Sequence, residues 1–192
     1  ETKQVTAQAG PEQEYFLIDK ALYQARRDLR LTGRTLFGAH PPRGQEMEDH
    51  YFGMIKPRVA QFMQDLYQEL WKVVVPSKTK HNEVAPSQHE MATIYSDANT
   101  ACDHNQLAME LLKKVADRHG LVCLIHEKPF EGVNGSGKHD NWSLATDTGK
   151  NLFQPGSTPS QNFQFLLFLA AFVKGADEYQ GLLRASVASS GN

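Results

Sequence analysis

An α+β domain, with a largely antiparallel sheet flanked by helices, is the fold class the sequence predicts, and three observations predict it. Segments of strand character and of helical period are mixed along the 192 residues. They lack the strict strand–helix–strand alternation of a parallel sheet. A 3.6-residue stripe of Val59, Phe62, Met63, Leu66 and Leu70 marks one amphipathic helix, and a second such run ends at Gly120. Directly after that glycine, Leu121 to His126 reads as a short buried strand.

The elements follow in order. Val5 to Asp19 reads as extended, broken at Gly10-Pro11. Thr32 to Asp49, rich in Gly, Pro and charge, reads as a long loop, and Pro57 suits the first turn of the striped helix. Extended chain resumes at Val73–Pro76 and runs to about Tyr95. Asp103-His104-Asn105-Gln106 has the pattern of a capping box, and Leu107, Leu111, Leu112 and Val115 continue it as a helix. Glu127 to Gly156 holds five glycines and reads as loop. Thr158-Pro159-Ser160-Gln161 signals another helix start. The helix after it is apolar nearly all round, which predicts burial, with Phe163, Phe165, Phe168 and Phe172 in the core. No internal repeat or low-complexity tract occurs.

Bulk composition excludes several function classes. Hydrophobic residues make up 40% and charged residues 22%, the balance of a globular chain rather than a disordered one. The net charge of −2 is spread along the sequence and gives no reason to expect nucleic acid or an anionic membrane as partner. The longest apolar run, Phe163 to Val173, is too short to span a bilayer. The polar start predicts no signal peptide, and a chain opening on Glu1 reads as trimmed or cut from a longer product. Cys102 and Cys123 are too few for a disulfide framework, so a reduced, cytoplasmic setting is expected.

Three motifs carry chemistry. Glu12 and Glu14 stand two apart in a strand, so both carboxylates point to one face. Taken alone the pair reads more readily as two surface acids on a solvated edge. In His81-Asn82-Glu83-Val84-Ala85-Pro86-Ser87-Gln88-His89-Glu90, a hairpin centred on Pro86-Ser87 sets Glu83 directly across from Glu90. Pro-Ser is not a favoured two-residue hairpin loop, which leaves a wider turn open. Two like charges across a ladder destabilise it unless a cation lies between them. Val133-Asn134-Gly135-Ser136-Gly137-Lys138-His139 is a Gly-rich loop that allows close backbone approach, followed by an imidazole. It matches neither a Walker A loop nor a dinucleotide fingerprint. Four carboxylates and one imidazole suit a hard divalent ion, Mg²⁺ or Mn²⁺, which points to phosphoryl transfer from a nucleotide.

Neighbouring residues have plainer readings. His81 is balanced between a phosphate or substrate contact and a structural hydrogen bond. His89 should face away from Glu90 and pack or lie at the surface. His104 at a helix start and His126 at a strand end read as structural, and Lys78 and Lys80 read as a solvated face at least as readily as phosphate contacts.

In this order and company the motifs resemble glutamine synthetase. That family carries a Gly-Pro-Glu-x-Glu strand, a His-x-Glu-Val-x-Pro-x-Gln-x-Glu hairpin and an Asn-Gly-Ser-Gly-x-His loop. The likeness runs from about Gly10 to the end of the chain. Phe37-Gly38-Ala39, Pro41-Pro42-Arg43-Gly44-Gln45-Glu46, Glu48-Asp49-His50-Tyr51-Phe52-Gly53, Lys78-Thr79-Lys80, His126-Glu127-Lys128-Pro129 and Thr146-Asp147-Thr148-Gly149 resemble its type III branch. The resemblance implies that Glu14, Glu83 and Glu90 hold the metal nearer glutamate. Glu12 and His139 would hold a second metal nearer the ATP phosphates, with Glu83, Glu90 and His139 central to catalysis. It also implies that Asn134 and Gly135 line the glutamate pocket, and that Tyr95, Asn141 and Ser143 contact ATP. Residues 1–192 would then be part of the catalytic domain.

The implied reaction joins ammonia to L-glutamate through a γ-glutamyl phosphate, at the expense of ATP and with two or more Mg²⁺ or Mn²⁺ ions. The resemblance further implies a homo-oligomer, a double ring of hexamers. The family's sixth metal ligand, substrate arginines and ammonium-handling acid lie downstream of the segment ending at Ser189-Ser190-Gly191-Asn192, and its small N-terminal domain lies upstream. Hence the 192 residues alone are expected to lack synthetase activity, and robust γ-glutamyl hydroxamate formation by the purified chain would refute this. The alternatives are a non-catalytic homologue or fragment that binds metal or nucleotide, and a ligase that joins glutamate to another amine.

Overall fold

The computed structural model describes residues 1–187. Its centre is one long strand, β1 (Val5–Asp19). On β1 the pairs Gln8–Asp97 and Glu12–Ala92 run along one edge, and Gln8–Ser143, Glu12–His139 and Phe16–Leu124 along the other. Thus β4 (Ser96–Asp97) and β3 (Gln88–Thr93) follow one another on the first edge, and β6 (Lys138–Thr146) and β5 (Leu121–Leu124) on the second. The last strand, β2 (Ser77–Asn82), pairs outside β3. Every pairing is antiparallel, as the sequence predicts.

Odd-numbered residues of β1 face a helix layer. Tyr15 and Leu17 pack with Phe62, Met63, Leu66 and Leu70 of α3 (Pro57–Lys72) and with Leu112, Val115 and Ala116 of α4 (Ala98–Arg118). All five residues of the predicted stripe are buried there. Even-numbered residues face the other way, and this face carries the chemistry. Between β1 and α3 lie two short helices the sequence reading did not name, α1 (Lys20–Ala25) and α2 (Arg27–Thr32). They are followed by the expected long loop, which contains one 3-10 turn at Glu46–Glu48.

Several expectations are corrected. β1 is not broken at Gly10-Pro11, because pairing with β6 continues through both residues. On the opposite edge they fall in the gap between β4 and β3, where a residue without an N–H costs nothing. The hairpin does not place Glu83 across from Glu90. Glu90 pairs with His81, and the Glu83 N–H donates to the Gln88 carbonyl at 2.9 Å. The turn spans residues 84–87 and uses Ser87 at φ 62°, which moves the register by two. A two-residue shift preserves the face, so the two carboxylates remain diagonal neighbours.

Further along, α4 starts five residues before the predicted box, with Asp97 as its cap accepting from the Thr100 N–H at 3.1 Å. His104 is therefore inside the helix. β6 occupies part of the expected loop region; most of its side chains are exposed, so no apolar alternation marks it. Thr158 to Gln161 opens only a 3-10 turn, and the apolar helix α5 (Phe163–Glu178) is capped by Asn162, which accepts from the Phe165 N–H at 3.1 Å. Neither α5 nor the unforeseen α6 (Gln180–Val187) buries a residue. Phe163 is 78% exposed and Phe172 44%, so the four phenylalanines are not core. Instead α5 leans on Trp142 of β6 through Phe172, and on Phe153 in the turn beyond β6 through Phe168. The expected stop at Ser189–Asn192 lies outside the described residues.

Candidate metal centre

The even face of β1 gathers the acids. Glu14 pairs directly with Glu90 of β3, Glu12 with His139 of β6, and Glu90 in turn with His81 of β2. Antiparallel partners share a face, so five of these side chains, with Glu83 two residues beyond His81, converge on one patch. The acidic pair that stands directly across a ladder is thus Glu14 and Glu90. The β6 partner of Glu12, His139, was legible only as a motif position, because the strand that carries it was read as loop.

Two sets of ligand atoms lie close enough to share a cation: Glu12, Glu90 and His139, and His81, Glu83 and Glu90. Glu90 belongs to both. In the first, His139 Nδ1 lies 3.4 Å from Glu12 Oε2 and 4.0 Å from Glu90 Oε2. In the second, His81 Nε2 lies 2.9 Å from Glu90 Oε1 and Nδ1 lies 3.4 Å from Glu83 Oε1. The Glu14 carboxylate turns instead to the Gly-rich loop, where the Gly137 N–H donates to its Oε2 at 2.7 Å. Buried Gln88 donates to the same oxygen at 3.2 Å and to the Gly135 carbonyl at 2.7 Å, while its Oε1 accepts from the Ala85 N–H at 3.0 Å. Gln88 sits two residues from Glu90 on the same face, and that parity was the signal available for it.

The electrostatics record the crowding. Burial, then the Glu14 charge, hold Glu83 above the ordinary carboxylate range. Burial, then the Glu12 charge, do the same for Glu90. For His81, burial opposes protonation, but the bond to the Asn82 carbonyl and the Glu90 and Glu83 charges outweigh it and raise its pKa. A protonated His81 between two carboxylates is what a cation-poor acidic cluster would recruit. His89, read as packing, faces the other layer as expected. It is buried beside Tyr15, bonded to Asn82 Oδ1 at 3.0 Å, and burial lowers its pKa to about 3.

The loop glycines are required by space. A Cβ at Gly137 would stand 2.9 Å from Glu14 Oε2 and 3.1 Å from His139 Nε2. One at Gly135 would collide with the Glu127 carbonyl oxygen. Beyond Glu12, Tyr95, Asn141 and Ser143 come together with Gln8 and Asn151 around an open groove of about 310 Å³. Asn141 joins that groove to the acids, its Nδ2 donating to Glu12 Oε1 at 2.7 Å. Asn134 and Gly135 lie on the other flank. His126 serves structure, its Nδ1 accepting from the Lys128 N–H at 3.0 Å.

The donor set fits a hard divalent ion: four carboxylates and two imidazoles, no thiolate, with more acids than the two histidines beside them can balance. In comparisons with known proteins, the model of the glutamine synthetase catalytic domain matches residues 1–190. The chain belongs to that family. It is 62% identical over 192 residues to a glutamine synthetase of Butyrivibrio fibrisolvens, and 57% identical over 190 residues to a type-3 glutamine synthetase of Dictyostelium discoideum. Those alignments cover 100% and 99% of this chain but 27% and 26% of the relatives, so the chain spans about a quarter of their length.

Among solved structures, a novel glutamine synthase homolog superposes with TM-score 0.60 at 21% identity, covering 81% of this chain and 31% of that one. The Plasmodium falciparum glutamine synthetase gives 0.59 at 21%, covering 77% and 32%. At that identity these two support the fold alone, an α+β glutamine synthetase fold of which this chain is part. Among the described residues no helix is long and apolar enough to cross a membrane.

Proposed function

We propose that this chain supplies the metal and nucleotide side of a glutamate–ammonia ligase active site. The observation that carries the reading is the convergence of Glu12, Glu14, Glu83, Glu90 and His139 on one sheet face, with the Tyr95–Asn141–Ser143 groove at its end. Divalent ions held by those five residues would neutralise the charge of the phosphates and of the acyl phosphate. Glu14, Glu83 and Glu90 would serve the ion nearer glutamate, and Glu12 and His139 the ion nearer ATP. Among the residues, Tyr95, Asn141 and Ser143 hold the nucleotide, and Asn134 and Gly135 hold glutamate. The γ-carboxylate of glutamate then takes the γ-phosphoryl group, and ammonia displaces phosphate; the protein contributes positioning and electrostatics. The whole enzyme works as a homo-oligomer, a double ring by family resemblance, in the cytoplasm. Since relatives are nearly four times as long, the 192 residues alone form no γ-glutamyl hydroxamate.

Calorimetric titration with Mn²⁺, with and without ATP, tests the site. Glu83→Ala with His139→Ala abolishes measurable binding; unchanged binding sinks the assignment. Acidity supplies a second check. Protons and cations compete for the same oxygens, and Glu83 and Glu90 hold protons at higher pH than ordinary carboxylates do. Mn²⁺ affinity therefore declines as pH falls toward the carboxylate range, beginning at a pH above that at which ordinary carboxylates titrate. An affinity that stays flat until ordinary carboxylates titrate contradicts it.

A further inference from the structure

A segment of the long loop is hydrogen-bonded to the Gly-rich loop at Asn134. The Asn134 N–H donates to Gln45 Oε1 at 2.6 Å, and Gln45 Nε2 donates to Asn134 Oδ1 at 3.1 Å. The chemistry of this pair fixes its orientation. A backbone N–H can only donate, so the Gln45 atom facing it is the oxygen. The other end of that amide is then the NH₂, which needs an acceptor, so Asn134 must present its own oxygen. The Nδ2 of Asn134 points away, with no protein partner among the described residues.

Gln45 is itself held. The Gly44 N–H donates to both Glu46 carboxylate oxygens, at 3.1 and 2.9 Å, and Arg43 pairs with Asp49 at 3.1 Å. Met47 and Glu48 take left-handed backbone, φ 57° and 53°, which turns the chain sharply just after Gln45. Asn82 pins the far end, its Nδ2 donating to the His50 and Gly53 carbonyls at 3.2 and 3.0 Å. The segment is thus tied to the hairpin that carries Glu83, and Gln45 is its contact with the loop.

We infer that Gln45 is a positioning residue, which sets the Asn134 amide so that its NH₂ faces a carboxylate of the bound amino-acid substrate. The inference rests on the reading of Asn134 as part of the glutamate pocket. An amide N–H aimed at an anionic oxygen makes a charge-assisted bond, whereas the flipped amide would present its own oxygen and repel the carboxylate.

Steady-state kinetics of the full-length parent enzyme test this, using Asn134→Ala, Gln45→Ala and Gln45→Glu. Gln45→Ala frees the Asn134 amide to rotate and raises KM for glutamate about threefold. Gln45→Glu can still accept from the Asn134 N–H, but its second oxygen forces the Asn134 amide to flip. KM for glutamate then rises roughly tenfold or more, although the substitution is nearly isosteric. KM for ATP stays within about twofold of wild type in both, since a single hydrogen bond's worth of coupling does not reach the other end of the face. If Asn134→Ala raises KM for glutamate while Gln45→Glu is no worse than Gln45→Ala, or if KM for ATP moves equally, the positioning role is overturned. If Asn134→Ala leaves KM for glutamate unchanged, the pocket reading itself fails, and this inference with it.

Discussion

Glu90→Gln is expected to cut Mn²⁺ affinity by roughly two orders of magnitude or more, while making the metal-free chain more stable. The first half follows from geometry, since Glu90 is the acid shared by both ligand sets. The second half follows from linkage. A carboxyl whose folded pKa is raised contributes stability below its unfolded pKa and loses it as pH rises through the folded value. At neutral pH the Glu90 charge is a net cost, being buried, beside Glu12 and across from Glu14. A neutral amide of the same shape can still accept from His81 and removes a like-charge cross-strand pair, a gain of about 0.5–1 kcal/mol. Calorimetry and urea unfolding of the metal-free protein read the two halves separately. Wild-type affinity, or a loss of stability without metal, would remove Glu90 from the centre of the site.

Gly135→Ala should be the most damaging single methyl in the loop. The added carbon runs into the Glu127 carbonyl oxygen, which already accepts from the Ser136 N–H at 2.9 Å, and neither backbone can give way alone. Moving residues 134–137 also withdraws the Gly135 carbonyl from Gln88 and the Gly137 N–H from Glu14. Overpacking and a stranded buried amide each cost about 1–3 kcal/mol. A loss of roughly 3 kcal/mol in urea unfolding is expected, with weaker Mn²⁺ binding. An unfolding midpoint and an affinity equal to wild type would show that the loop can absorb the methyl.

Much of the site was legible because strand parity is insensitive to small errors. Glu12 and Glu14 share a face in any extended reading, and Glu83 and Glu90 share one under either register. What parity cannot supply is the partner. That needed the turn, and a four-residue turn closing through Ser87 in the left-handed region has no composition signal, since Pro-Ser reads equally as its centre. β6 was hidden for another reason: Lys138-His139-Asp140-Asn141 is polar on both faces, because one faces solvent and the other lines the site. His139 was therefore assignable by motif and not by periodicity. The apolar circumference of α5 predicted burial, and the residues described here do not provide it. Period and capping read helices well, whereas the neighbour that covers a helix is not encoded in the helix.

The position of β1 at the centre of four pairings has a bearing on how such a chain can vary. Glu12, Glu14 and the core residues Tyr15 and Leu17 alternate along one strand whose partners are fixed on both edges. Insert or delete a single residue near Gly10, and every side chain downstream changes sides: acids enter the helix layer and aromatics enter the pocket. No compensating slip exists, since four strands would have to slip together. Added or lost residues can therefore be absorbed only in the connections, and the strand itself tolerates only replacement, residue for residue.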